Sequence, residues 1–325
     1  QDDLVARCAK AFNLTATQAR AIEANAARQY QGLTGGNPNL KPELSDTVSL
    51  GFVAQPDFIP GLNFSVDWFD IKVKQFISTI GADAILKNCV DTADPFFCSK
   101  VHRDSLGSLF LTPDGFVTDV TLNTGSLHTT GVDFALNYRT DLDALGLENA
   151  GGVSFALAST WLDKLESQSL ADGPTTDCAG LYGALCNSFG SSGVPNPKWR
   201  HKFRATWNTP FPLDLALSAQ VRYFSKVDLD VTSSQDQLGG SAPVKKGDGL
   251  DTDLKLGART YLDLLATFNL TDKFNFRVGV NNVLDKDPPL VGQSNCPSGP
   301  CNGNTYPQVY DALGRFIFVG VTADF

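Results

Sequence analysis

The stretch Arg315-Phe-Ile-Phe-Val-Gly-Val-Thr-Ala-Asp-Phe325 sets apolar Ile317, Val319, Val321 and Ala323 at every second position, with an aromatic residue at 325. Successive side chains of an extended chain point to opposite faces, so these four share one face and Gly320, Thr322 and Asp324 take the other. An apolar face backed by a small or polar one is the pattern of a strand with lipid on one side and a watery lumen on the other. The fold this implies is all-β, a transmembrane antiparallel β-barrel.

The same pattern recurs upstream. Val48, Leu50, Phe52 and Ala54 alternate with Thr47, Ser49 and Gly51; after the turn Pro56-Asp-Phe-Ile-Pro-Gly61, Leu62, Phe64, Val66 and Trp68 resume it. Leu213, Leu215, Leu217, Ala219, Val221 and Tyr223 read as one face of a later strand, with Asp214, Ser218, Gln220, Arg222 and Lys226 on the other. Around residue 198, Trp199, Phe203, Ala205 and Trp207 point outward while Arg200, Lys202, Arg204 and Asn208 point inward. A soluble sandwich reverses this, keeping its inward face apolar.

About nine strands follow, at 46–55, 62–78, 118–140, 152–165, 198–209, 213–228, 258–270, 274–284 and 315–325. Short turns alternate with long excursions at about 80–117, 166–197, 229–257 and 285–314, the asymmetry of short periplasmic turns and long extracellular loops. Residues 1–45 read as a separate Ala-rich helical loop segment, with a break near Asn13 to Thr17, and residues 46–325 as the barrel strands. Single-chain bacterial barrels close with an even number of strands, and open edges do not face lipid, so an odd set calls for strands from elsewhere.

Composition agrees. The chain of 325 residues is 42% hydrophobic, and its mean hydropathy is only -0.10, as expected when alternate residues alone meet lipid. No run of about 18 apolar residues is present, which excludes a spanning helix. The net charge of -9 argues against a nucleic-acid partner. Residue 1 is Gln and no Met occurs anywhere, which reads as a processed product or an internal piece of a longer chain.

Seven cysteines fall as Cys89 with Cys98, Cys178 with Cys186, Cys296 with Cys301, and Cys8 alone. Each pair lies in a Gly/Pro/Asp-rich excursion, a setting for loop disulfides in an oxidising compartment and not for tetrahedral zinc. The partner of Cys8 lies open, including a cysteine of another chain.

A family resemblance enters through four ordered segments. Asn37-Pro-Asn-Leu-Lys-Pro-Glu-Leu-Ser45 resembles the stretch before a late barrel strand of TonB-dependent outer-membrane receptors. Asn269-Leu-Thr-Asp-Lys273, then Val278-Gly-Val-Asn-Asn-Val-Leu-Asp-Lys286 with Pro288-Pro289, is similar to that family's penultimate hairpin. Tyr310-Asp-Ala-Leu-Gly-Arg315 and Phe325 resemble its last loop and strand.

The resemblance implies a barrel of about 22 strands plugged by an N-terminal domain, of which this chain supplies about nine C-terminal strands. The plug and the earlier strands are then an N-terminal portion of the same transporter. The Ala-rich start reads as a nick in an extracellular loop, with that portion a separate polypeptide; the alternative is an artificial boundary.

The resemblance also implies an integral outer-membrane location with loops extracellular, the TonB energy-coupling complex and outer-membrane lipid as partners, and active import of a scarce nutrient. Siderophore-iron, oligosaccharide, peptide and cobalamin all use this architecture, and the residues do not choose among them. A passive porin or an adhesin barrel is the competing class; long, cysteine-bearing loops favour capture of a solute over free diffusion.

No enzyme is expected. Gly-x-Ser-x-Gly, a phosphate loop and His-Glu-x-x-His are all missing, and His102, His128 and His201 stand far apart in the sequence. No cofactor or metal is expected either. Asp228, Asp230, Asp248, Asp251 and Asp253 lack the fixed spacing of a calcium loop and read as acidic surface.

The candidate site residues are lumen-facing charges, for contact with plug or substrate: Asp133, Arg139, Arg200, Arg204, Arg222, Arg259, Asp263 and Arg277, with Asp67 beside them. Trp68, Trp199 and Trp207 read as interface-belt residues. By resemblance, Phe325 is part of the signal read by the barrel-assembly machinery.

Overall fold

The computed structural model describes every residue except 1, 23, 24, 26–28, 171, 172, 189–193, 241, 242, 244, 246–252, 293, 294, 297, 298, 300, 324 and 325. Phe325, Asp248 and Asp251 therefore lie outside the described residues.

Nine strands form one sheet in sequence order: β1 (Leu44–Ala54), β2 (Leu62–Ser78), β3 (Leu122–Asp141), β4 (Gly152–Gln168), β5 (Trp199–Asn208), β6 (Ala216–Phe224), β7 (Arg259–Thr271), β8 (Phe274–Asn281) and β9 (Phe316–Ala323). Each neighbours its predecessor in the chain, a meander, and the short strand Thr176–Asp177 extends β4. Among the described residues no pairing joins β1 to β9.

The register fixes two faces. Along β4 to β9 directly opposed residues share a side, so Phe155–Ala205–Ala219–Leu264–Val280–Ile317 forms one continuous apolar row. This face is not covered by protein, since the central-strand residues Phe203, Leu217 and Leu264 remain 38%, 39% and 41% exposed. Lipid is the solvent such a face requires. No described helix is long and apolar enough to cross a membrane.

Several strand boundaries depart from the sequence reading; Lys226 falls beyond the end of β6, the strand expected at 213–228, and two departures mark a break in the extended backbone. The strand expected at 213–228 starts at Ala216, because Leu213 and Asp214 sit at positive φ in a 3-10 turn, so Leu213 and Leu215 leave the alternating face. The strand expected at 118–140 is two: Phe116–Val120 joins a small separate sheet, and β3 begins at Leu122. Period-2 alternation continues across both breaks, and backbone direction is invisible to it.

The chain divides into two compact units. One comprises Gln1–Leu44, Val73–Ser126 and Gln168–Pro174; the other comprises Ser45–Lys72, Leu127–Ser167 and Thr175–Phe325.

In the first, helices α1 (Asp2–Ala11), α2 (Ala16–Ala21), α3 (Ala82–Thr92) and α4 (Pro95–Cys98) accompany a sheet in which Gly32–Gly35 runs parallel to Phe116–Val120 and Val101–His102 runs antiparallel to it. The break between α1 and α2 falls where expected, with a capping box at Thr15 and Gln18. Ile80, Ile85, Cys89, Phe97, Val101, Leu109 and Val117 make its core.

In the second unit, Leu181–Tyr182, Val227–Leu229 and Lys255–Leu256 form a three-stranded sheet that draws two long loops together, with α5 (Ala184–Ser188) following the first strand. Tyr182, Val227, Leu229, Leu256, Val291, Tyr306 and Tyr310 are buried in one cluster, adding a third loop. Each such aliphatic side chain contributes about 1.5–3 kcal/mol by leaving water.

Candidate functional site

The polar face of the wall gathers most of the expected charges. Arg200, Lys202 and Arg204 of β5 oppose Phe224, Arg222 and Gln220 of β6, and Gln220 opposes Asp263 of β7. Thr267, on the same side of β7, opposes Arg277 of β8. Asp133 joins them by accepting from Thr160 Oγ1 at 2.6 Å, Thr160 being the partner of Arg200.

The wall then divides by charge. Arg200, Lys202, Arg222, Asp67 and Asp133 surround a cavity of about 390 Å³, and Arg139 and Arg204 another of about 440 Å³. Arg204 donates twice to Gln220 Oε1, at 3.2 and 2.9 Å.

Arg222 is the best-held cation. Its Nε and Nη2 meet both oxygens of Asp263 at 2.7 and 2.9 Å, while Nη1 and Nη2 meet those of Asp311 at 2.9 and 2.6 Å. Only the planar guanidinium fork can serve two carboxylates in this way. Asp263 also accepts from the Asn282 amide at 2.9 Å and Gln220 Nε2 at 3.0 Å. Gln220, Arg222 and Asp263, together with Pro307 and Tyr310–Gly314, line a cavity of about 500 Å³.

Two expected residues sit apart from this cluster. Arg259 clamps loop carbonyls, Asp287 O at 3.2 Å and Gly257 O at 3.4 Å. Arg277 lies across β9, so close that a Cβ on Gly320 would fall 2.4 Å from its Nε.

The loops are tied covalently and by buried carboxylates. Cys89–Cys98, Cys178–Cys186 and Cys296–Cys301 are bonded, with S–S distances of 2.09, 2.11 and 1.90 Å, and Cys8 is free. Asp230 and Asp253 are not acidic surface; they are 2% and 5% exposed. Asp230 accepts from the Leu185, Cys186 and Val231 amides, and Asp253 from the Gly292 amide and Asn295 Nδ2. Burial pushes the Asp230 carboxyl above its ordinary range despite those amides. It likewise pushes up the Tyr182, Tyr306 and Tyr310 phenols. Tyr182 donates to Asp253 O and Tyr306 to Asn295 O, so the phenols join the same loop core.

The histidines have local roles. His128 Nε2 lies 3.1 Å from Asp70 and its Nδ1 2.9 Å from Glu166, a bridge across β2, β3 and β4. His201 stacks between Trp199 and Tyr223 on the apolar face, where Trp161 extends the row as an aromatic belt. No group of three metal-ligating side chains occurs among the described residues.

Sequence reading missed Asp311, Tyr182, Tyr306 and Tyr310. Asp311 and Tyr310 stood in a quoted segment, but nothing in that segment names Arg222 as the partner 89 residues away.

A two-faced wall, a meander and loops with their own core are the anatomy of a barrel receptor, and the family model described as TonB dependent receptor-like, beta-barrel matches residues 9–283. The chain belongs to the TonB-dependent receptor β-barrel family. Receptors of this family are outer-membrane proteins.

Solved structures that resemble this receptor chain include the FrpB iron transporter from Neisseria meningitidis (F3-3 variant), 14% identical with a TM-score of 0.51 over 90% of this chain and 33% of that one. A point mutant of the ferric enterobactin receptor PfeA from Pseudomonas aeruginosa is 17% identical, with a TM-score of 0.52 over 90% of this chain and 32% of that one. The chain thus spans about a third of the length of these structures, and at such identity the likeness carries the fold alone. No curated protein gave a match.

Proposed function

We propose that this chain is the C-terminal part of the barrel of a TonB-dependent importer, which draws a scarce nutrient across the outer membrane at the expense of the proton-motive force. The N-terminal portion of the receptor supplies the remaining strands and the plug. The disulfide-tied loops are extracellular, and Asp133, Arg139, Arg200, Arg204, Arg222 and Asp263 line the lumen toward plug or solute. The solved relatives are an iron transporter and a ferric enterobactin receptor by name, which makes chelated iron the first solute to test, ahead of oligosaccharides, peptides and cobalamin.

The observation that carries this reading is the three-loop core sealed by Tyr182, Tyr306 and Tyr310. Loops that fold into one packed body favour capture; a passive porin gains nothing from it. The experiment is uptake of labelled solute by cells expressing the full-length receptor, with and without a protonophore or a disrupted TonB. Uptake that stops on loss of the proton-motive force is expected. Uptake that continues unchanged would make the barrel a porin.

A further inference from the structure

The first unit contains a cavity of its own. It has a volume of about 540 Å³, and Asn88 of α3, Asp94 and Phe96 at α4, Thr124 of β3, and Leu170 and Pro174 line it. That is ample for one or two small rings, within the usual range of ligand sites. The disulfide Cys89–Cys98 joins α3 to α4, so two of its walls are held in place before any ligand arrives.

Its unspent hydrogen-bonding capacity is mostly acceptor. Asn88 uses its Nδ2 on Ala84 O at 2.8 Å, leaving Oδ1 as acceptor. Asp94 spends Oδ1 on the Phe96 amide at 2.8 Å, leaving Oδ2. Beside these, Phe96 presents a ring that is 41% exposed, with Leu170 and Pro174 as further apolar surface.

Charge narrows the ligand. An anion is disfavoured by Asp94. A cation is disfavoured as well, because Lys100 Nζ already stands 4.9 Å from the centre of the Phe96 ring and would repel it. What fits is a neutral molecule with several O–H donors on one side and a C–H face on another. We propose that this cavity binds a saccharide, one pyranose ring resting against Phe96 and donating hydroxyls to Asp94 and Asn88.

The test uses the full-length receptor in detergent, titrated with maltotriose, cellotriose, triglycine and tetramethylammonium, binding being followed by saturation-transfer NMR. At least one trisaccharide is expected to bind, and Phe96→Ala and Asp94→Asn each to weaken it tenfold or more. Asn keeps the cap on α4, and Phe96 is exposed, so both variants fold; Leu147→Ala, in an exposed turn of the other unit, leaves affinity unchanged. Binding of neither sugar, equal affinity in wild type and both variants, or tighter binding of the peptide or the cation at this cavity overturns the proposal. Because the readout is equilibrium binding without energised membranes, its failure leaves the import reading untouched, and the failure of import leaves this one standing.

Discussion

Arg222 Nη2 lies 2.6 Å from Asp311 Oδ2, so a guanidinium rooted in the strand wall grips the last long loop. Its other edge holds Asp263, itself fastened to the Asn282 amide. One loop side of the knot, Tyr310, is buried beside Tyr306 in the core the three loops share. The fork thus couples loop order to the wall through a single side chain.

Removing that fork releases the loop. In Arg222→Ala two carboxylates, 10% and 21% exposed, lose their partner, and breaking such a pair costs about 3 kcal/mol. Hydrogen-exchange protection across residues 306–315 is expected to fall roughly a hundredfold, with strands β4 and β5 unchanged. Arg222→Lys recovers only part of it, since one ammonium cannot serve two carboxylates side by side. Undiminished protection in both variants would show that the loop core alone orders the segment.

Two carboxylates set opposite responses to acid. Burial raises Asp104, but the Ser108 and Leu106 amides and the Thr112 hydroxyl outweigh it and hold the carboxyl below its ordinary range. Its folded value is thus below the unfolded one of about 3.9, so its contribution is full above pH ~4 and is lost as pH falls through the folded value. Asp230 is the reverse: its folded value is raised, so its contribution is full below pH ~4 and is lost as pH rises through the folded value. On acidification the 104–112 turn is expected to loosen while protonation of Asp230 relieves its burial penalty and steadies the loop core around it, measured as exchange protection corrected for intrinsic rates. Asp104→Asn should abolish the first trend, and a trend that survives it would refute the assignment.

The wall was legible and the loops were not, for a physical reason. A strand between lipid and water writes its geometry into every second residue, so Ile317, Val319 and Val321 announce their face without knowledge of their neighbours. The loop core depends on contacts such as Tyr182 with Tyr306, 124 residues apart in a chain with no periodicity there. Cysteines were the exception, because each bonded pair is separated by fewer than ten residues. The buried Asp230 was misread as surface because composition cannot see three amides converging on it.

Reduction tests how much the loops owe to their bonds. Opening the Cys178–Cys186 ring of sequence separation 8 removes about 2–3 kcal/mol on the chain-entropy account. Limited proteolysis is expected to cut within 179–185 after mild reduction and to spare that stretch before it. Cys178→Ala with Cys186→Ala should reproduce the sensitivity in the absence of reductant. Equal resistance before and after would mean that the Leu181–Tyr182 strand and the Asp230 contacts suffice.

The assignment of faces can be decided by two neighbouring residues of β7. Leu264 opposes Ala219 and Val280 in the apolar row, whereas Leu265 opposes Ser218 and Gly279 on the side that carries Asp263 and Arg222. An arginine on the lipid face near the bilayer midplane costs about 2–4 kcal/mol. On the lumen side the guanidinium keeps its water, and the loss is limited to packing, about 1 kcal/mol or less. Leu264→Arg is therefore expected to lower the urea midpoint of the full-length receptor in lipid vesicles and to reduce its folded yield, while Leu265→Arg stays near wild type. Because the two positions share a strand, a depth and a native residue, differences in local propensity cancel and only the face remains. The reverse ranking would turn the wall inside out and place the Arg200, Arg204 and Arg222 stripe against lipid, a position no set of charges could hold.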